Sequence, residues 1–252
     1  MTTVPSGEPA RRVTAHLVVA GPTLLGARVL FGQDPGDVAR ALGRLAPDEP
    51  LVALDVLGDA VTAPDGTLLQ VDRVVFATTA TVEHWPAVSA SVDRSVAPAR
   101  ILAEEEPGRR PRLSRLASYG IVTDPAGRIL LSLIAEGFPG GGTWHLPGGG
   151  VDPGEDVRGA LRREVLEETA QKGVVGRLIT VASHHRVPPT GPEIYAVWVF
   201  SHVHVPHPGE PRVLEVDGST ADCGWFTPEE VVDLRLSTTA KRGLAYLVAH
   251  TH

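Results

Sequence analysis

The chain has 252 residues, 42% of them hydrophobic, and a net charge of −7. That is enough apolar material for one large core or two modest ones, while the acidic balance and the lack of a basic stretch with interleaved aromatics argue against a polymeric nucleic acid as partner. One cysteine, Cys223, permits no internal disulfide and reads as a small buried hydrophobe in a cytoplasmic protein; no apolar run approaches a membrane span, and the stretch 16–20 after Arg11-Arg12 is too short for a secretory leader.

Taken in chain order, residues 16–20 and 27–31 read as strands. A helix is expected over 34–45, with Val38, Leu42 and Leu45 at helical spacing and Pro35 near its start. Residues 51–61 and 68–78 read as strands around Asp65-Gly66. These make a small N-terminal α/β domain, 1–105, with no recognisable chemistry. Its glycine run 21–26 lacks the lysine and spacing of a phosphate loop. Residues 106–112, after Glu104-Glu105, carry prolines and charges without apolar periodicity and read as a linker. A second domain, 113–252, follows. Strands at 118–122 and 128–133 flank the turn Asp124-Pro125-Ala126-Gly127. Further strands are expected at 175–183 and 194–205 and one ending near Trp225. Thr227-Pro228-Glu229-Glu230 starts a helix. A last helix, 238–249, carries Leu244, Leu247 and Val248 on one side.

Between the hairpin and the later strands lies the run 149–171, GGVDPGEDVRGALRREVLEETAQ. Its glycines and prolines exclude regular structure up to about Gly154, and a helix is expected over 155–169 with Asp152 as N-cap. At about 100° per residue, with Val157 at zero, Leu161 and Val165 mark the inward face. Glu164 and Glu168 then fall within about 20° of its centre and Glu167 near −80°. An ordinary amphipathic helix sends its glutamates outward. Carboxylates crowded on a low-dielectric face repel and are costly to desolvate unless a cation joins them. Hard oxygen donors of this kind suit Mg²⁺ or Mn²⁺. Arg163, one i,i+4 step from Glu167, is placed to hold that carboxylate.

With Gly149, Glu155, Arg163, Glu164, Val165, Glu167 and Glu168 at these spacings, the run resembles the Nudix box, G-x5-E-x7-R-E-U-x-E-E-x-G-U, where U is aliphatic. The preceding Trp144-His145-Leu146-Pro147-Gly148 is similar to the usual approach to the box. Two positions depart: Ala170 stands in place of the last glycine and Gln171 in place of the final aliphatic residue. The alanine suggests a helix running on toward Gly173. The resemblance implies an α/β/α sandwich with a mixed sheet over 113–252. It implies hydrolysis of a nucleoside diphosphate linked to another group, with Mg²⁺ or Mn²⁺ ligated by Glu164, Glu167 and Glu168. Arg163 then orients a glutamate, Glu155 fixes the loop–helix geometry, and backbone N–H groups of Gly148, Gly149 and Gly150 face phosphate. Some members recruit a further acid from a later loop; Glu215 and Asp217 are candidates against a reading as solvated loop acids.

The substrate expectation is a small nucleotide-diphosphate compound: a nucleotide sugar, ADP-ribose or an NTP-like molecule. The patterns of NADH and coenzyme A pyrophosphatases are absent. Pro188 is near the proline of ADP-ribose pyrophosphatases but off its spacing, and Tyr195 is too far downstream for a dinucleoside polyphosphate hydrolase. Leu131-Ser132-Leu133 stands where relatives often have arginines. Phe138 is free to stack on a base; Trp198 and Trp225 fit the core better. His184-His185, His202, His204 and His207 read as polar strand positions, no third zinc ligand being evident. The rival reading is a Nudix-fold nucleotide-sensing regulator without hydrolysis, disfavoured by the intact box and the absence of a basic domain. A docking role for the N-terminal domain and a homodimer are compatible with the sequence.

Overall fold

The structure is a computed structural model describing residues 10–63, 65–216 and 218–249, with the side chains of 247–249 outside that set. Leu247 and Val248 of the last helix, and Asp217, therefore lie outside what is described. The chain forms two compact units that interleave in sequence. One takes the described residues of Met1–Leu116 with Val151–Asp156 and Val181–Trp198; the other takes Ala117–Gly150, Val157–Thr180 and the described part of Val199–His252.

The first unit contains β1 (Ala10–Val19), β2 (Thr23–Val29), α1 (Pro35–Gly43), β3 (Val52–Thr62) and β4 (Leu68–Ala77), in the sheet order β2-β1-β4-β3. β1 runs parallel to β4; the other pairs are antiparallel. β4 is rich in valine and buried along almost its whole length, as a central strand should be. α1 starts where Asp34 accepts hydrogen bonds from the N–H groups of Gly36 and Asp37, with Pro35 in the first turn. Residues Val82–His84 and Ser89–Arg94 form 3-10 turns around α2 (Trp85–Val88), and α3 (Pro98–Leu102) follows. These pieces are too short to show a helical period in sequence. They close the core nonetheless, with Val88 and Val92 packed beside Val18, Val75 and Ala77.

The second sheet comprises β5 (Arg112–Thr123), β6 (Ile129–Ile134), β7 (Trp144–His145), β8 (Gly148–Gly150), β9 (Val174–Arg186), β10 (Glu193–His204) and β11 (Thr220–Phe226). Its order is β11-β6-β5-β10-β9, with β7 on β6 and β8 on β5. The turn between β5 and β6 is closed by Asp124, whose Oδ1 accepts from the N–H groups of Ala126 and Arg128, with Gly127 at φ +78°. α4 (Val157–Thr169) lays Leu161 and Val165 on Val122, Leu130, Val203 and Val205. α5 (Pro228–Asp233) begins with a complete capping box between Thr227 and Glu230, and α6 (Thr238–Ala249) ends the described chain. The fold is α/β with two sheets. No described helix is long and apolar enough to cross a membrane.

Two expectations about α4 are corrected. It begins at Val157, not Glu155, because Asp152 to Glu155 close their own turn, Glu155 N–H donating to the Asp152 carbonyl at 3.0 Å. It also stops at Thr169 instead of running on, because Ala170 turns into the left-handed region at φ +56°. That conformation suits glycine and disfavours alanine. Ala170→Gly is therefore expected to stabilise the protein by about 0.5–1 kcal/mol, the relief of strain exceeding the entropy that glycine gains on unfolding. Urea unfolding measures it, and an unchanged or lower midpoint would contradict the assignment.

Candidate active site

The site is built on a strand of three glycines. β8 pairs antiparallel with β5, matching Gly148 to Tyr119, Gly149 to Ser118 and Gly150 to Ala117. Gly148 has φ +139°, and a Cβ there would lie 2.1 Å from the Ser118 carbonyl oxygen. A Cβ on Gly149 would lie 2.7 Å from Glu164 Oε1. The missing side chains let α4 bring its carboxylates down onto the strand.

Glu168 is the most deeply placed of them, 5% exposed. Its Oε2 accepts from Ser132 Oγ at 2.9 Å and from the Gly148 N–H at 3.2 Å, and Thr220 adds a side-chain hydrogen bond. Burial nevertheless pushes its pKa up to about 8, and the nearby Glu164 charge adds to the rise. Glu164, its side chain 14% exposed, is also raised, by burial first and by Glu167 and Glu215 after the opposing pull of Arg163. Glu167 is more open at 44%. The gradient follows the helical angles: of the two glutamates near the centre of the inward face Glu168 is buried and Glu164 half-buried, and the one at the border is the most open. Arg163 donates from Nη1 to Glu164 Oε1 at 2.8 Å and to Glu167 Oε2 at 3.3 Å, and from Nη2 to the Gly150 carbonyl at 3.2 Å. One guanidinium thus ties two carboxylates to the glycine strand.

Glu215 joins this group from the segment before β11. The N–H groups of Leu214 and Glu215 both donate to the Glu167 carbonyl, and that of Arg212 to the Thr169 carbonyl. The segment so satisfies carbonyls left open at the end of α4. Glu215 Oε2 is buried and has no hydrogen-bond partner among the described residues.

Two contributors had little sequence signal. In sequence Ser132 stands only where relatives often have an arginine. It is the one polar residue of Ile129–Ile134, and a lone hydroxyl in an apolar strand is the signal that was available. It sits in register between Cys223 and His145. His145 is held neutral, its pKa lowered to about 4 by burial, with Nδ1 2.6 Å from Ser237 Oγ and its ring edge-on to Tyr119. Glu155 lies with the other unit, its Oε2 accepting weakly from the Asp152 N–H at 3.4 Å. Among the remaining candidates, Phe138 is exposed and Trp198 is buried, stacked on His184 at 4.7 Å. Trp225 packs against the core under α4. His202 and His204 alternate with buried Ser201 and Val203, as a polar strand face does.

Among the described residues no three histidine, cysteine, aspartate or glutamate side chains already stand as a ligand set. The donor chemistry still fits a hard divalent cation. Glu167, Glu168 and Glu215 each lie near enough to Glu164 for the charges to act on one another, Glu164 and Glu168 have raised pKa values, and Glu215 Oε2 lacks a partner among the described residues.

The order of elements and the acidic face of α4 define an α/β pyrophosphohydrolase. The chain belongs to the Nudix family: the NUDIX domain model matches residues 113–247. It is 30% identical over 129 residues to the nucleoside triphosphatase NudI of Escherichia fergusonii, covering 47% of this chain and 86% of that protein. It is 41% identical over 56 residues to human diphosphoinositol polyphosphate phosphohydrolase 3-alpha, 22% of this chain and 34% of that one. A MutT NUDIX hydrolase structure from Burkholderia pseudomallei aligns at a TM-score of 0.42 and 30% identity, over 54% of this chain and 98% of its own.

Gly148→Ala is expected to cost about 2–4 kcal/mol, since backbone must move to admit the methyl group. Gly149→Ala meets only the mobile end of Glu164; it should cost under about 1 kcal/mol yet slow turnover about tenfold or more by displacing that carboxylate. Chemical denaturation beside steady-state rates separates the two, and equal stability losses would contradict the geometry. Glu168 also sets a pH dependence. Its folded pKa is raised, so in metal-free protein its contribution is complete below its ordinary value of 4.5 and is lost as pH rises toward 8. Glu168→Gln should therefore gain stability relative to wild type between pH 5 and pH 8.5, read from paired urea midpoints; a constant difference would rule the shift out.

Proposed function

We propose that the protein hydrolyses a diphosphate linkage in a nucleoside diphosphate-X type compound (a nucleotide sugar, ADP-ribose or an NTP-like molecule), with Mg²⁺ or Mn²⁺ held by Glu164, Glu167 and Glu168. The observation that carries this reading is the meeting of buried Glu168, half-buried Glu164 and Glu215 on one face of α4, a concentration of negative charge that a cation would relieve. When bound, the cation acidifies water and neutralises charge on the diphosphate.

The chain's own groups supply the positioning. Ser132 Oγ and the Gly148 N–H fix the Glu168 carboxylate from the side away from solvent. Arg163 holds Glu164 and Glu167 at one separation and anchors both to Gly150. The bare surface of Gly149 and Gly150 is the ground along which the diphosphate lies; the Gly148 N–H is committed to Glu168 and the Gly149 N–H faces β5 in this register, which leaves that of Gly150 for phosphate. Glu215, with a free buried oxygen, is the candidate proton acceptor. The likeness to a protein named as a nucleoside triphosphatase supports the NTP-like end of the substrate range. The expected setting is the cytoplasm, on cysteine usage alone.

Phosphate release from a panel of nucleoside di- and triphosphate compounds, with and without Mg²⁺, tests the reading; a panel silent under all conditions would overturn it. Glu164→Gln and Glu168→Gln are each expected to lower turnover by about 10²–10⁴ with the fold intact by circular dichroism. Unchanged rates would remove the assigned roles.

A further inference from the structure

The first unit holds a cavity of about 780 Å³, within the range of small-molecule sites. Six arginines line it: Arg11, Arg12, Arg28, Arg109, Arg110 and Arg112. Three acids, Glu104, Glu105 and Glu106, oppose them, all on the irregular segment between α3 and β5. In a chain of net charge −7 this is a marked local excess of positive charge.

Part of that charge is already engaged. Arg11 is bound to buried Asp72 through Nη1, at 2.8 and 2.7 Å, and Arg110 donates to the Pro188 carbonyl. The others are less well matched. The Arg28 side chain is 8% exposed; it donates to the carbonyls of Ile101 and Ala103 and to Glu105, yet its Nε has no acceptor among the described residues. Among the described residues Arg12 also has a buried Nε without an acceptor, and its carboxylate partner there is Glu104, 84% exposed. Burial and the neighbouring Arg12 both lower the Arg28 pKa, so the two guanidinium groups crowd each other. Arg109 is exposed with no ion pair among the described residues.

Glu105 shows what the cavity holds. Its carboxylate is 2.9 Å from Arg28 Nη2, 3.5 Å from Arg112 Nη1, and accepts the Phe31 N–H at 3.0 Å. Two guanidinium groups and a backbone N–H around one oxyanion make an anion cradle, and a phosphate group presents more oxygens to such donors than a carboxylate does. Phe31, with Arg112 over its ring at 4.8 Å and Tyr195 beside it at 5.5 Å, gives the cavity an apolar wall.

We propose that this cavity is a second ligand site, made of residues outside the Nudix box, for a multiply charged phosphorylated small molecule that competes with the carboxylates of Glu104 and Glu105. The acidic segment is then a built-in competitor, and neutralising part of it tightens binding.

The test is calorimetric titration of the full chain, stripped of metal on a chelating resin, with pyrophosphate at low salt. Wild type is expected to bind, Arg109→Ala to bind about fivefold more weakly and Arg12→Gln about tenfold, and Glu104→Gln about threefold more tightly. Arg109 and Glu104 are exposed, so those variants keep the fold, with thermal melting as the check. Binding that Arg163→Ala weakens while Arg109→Ala and Arg12→Gln leave it untouched would put the anion at α4 and overturn the proposal. So would no binding at millimolar pyrophosphate, an Arg109→Ala affinity equal to wild type, a weaker Glu104→Gln, or citrate binding as tightly as pyrophosphate.

Discussion

A buried carboxyl group on a helix, bonded to the backbone of a glycine strand, is the constraint around which the catalytic unit is arranged. Glu168 bonds the Gly148 N–H and Ser132, while the absence of a side chain at Gly149 leaves room for Glu164 beside it. Any residue larger than glycine at position 148 would strike the neighbouring strand, and at 149 it would strike Glu164. The approach of α4 to β8 sets where all its acids sit. An isolated carboxylate at such depth is expensive, and three hydrogen bonds do not remove the cost, which is why the group holds its proton to about pH 8.

The rest of the site manages that charge. Arg163 spans Glu164 and Glu167, so the inward and border acids keep a defined separation. The segment 212–215 does two things with one set of bonds. It satisfies carbonyls at the end of α4, and in doing so it carries Glu215 to the acidic face. Ala170 ends the helix in time for that, at a conformational cost glycine would not incur. Local strain and local repulsion thus collect where diphosphate chemistry is proposed, as is usual where geometry serves function before stability.

The first unit poses the opposite electrostatic problem. Short helical pieces cover its sheet over valine-rich β4, and six of its arginines line a cavity. An acidic segment without regular structure neutralises them in part. Guanidinium groups buried among backbone carbonyls stay charged, so they keep a standing demand for anions.

Much of this was legible in the sequence because it depends on short, regular spacings. The helical period placed Glu164 and Glu168 inward and Glu167 at the border; Asp124-Pro125-Ala126-Gly127 was a turn; Thr227 to Glu230 was a helix start. Each follows from dihedral preferences and hydrogen bonds within a few residues. The tertiary structure alone decided that Ser132 and Thr220 would meet Glu168, that Glu215 would arrive across α4's end, that Glu155 would cluster with the other unit, and that arginines from 11 to 112 would line one cavity. Those pairings join residues tens of positions apart, and nothing local ranks one long-range partner over another until the strands have chosen their neighbours.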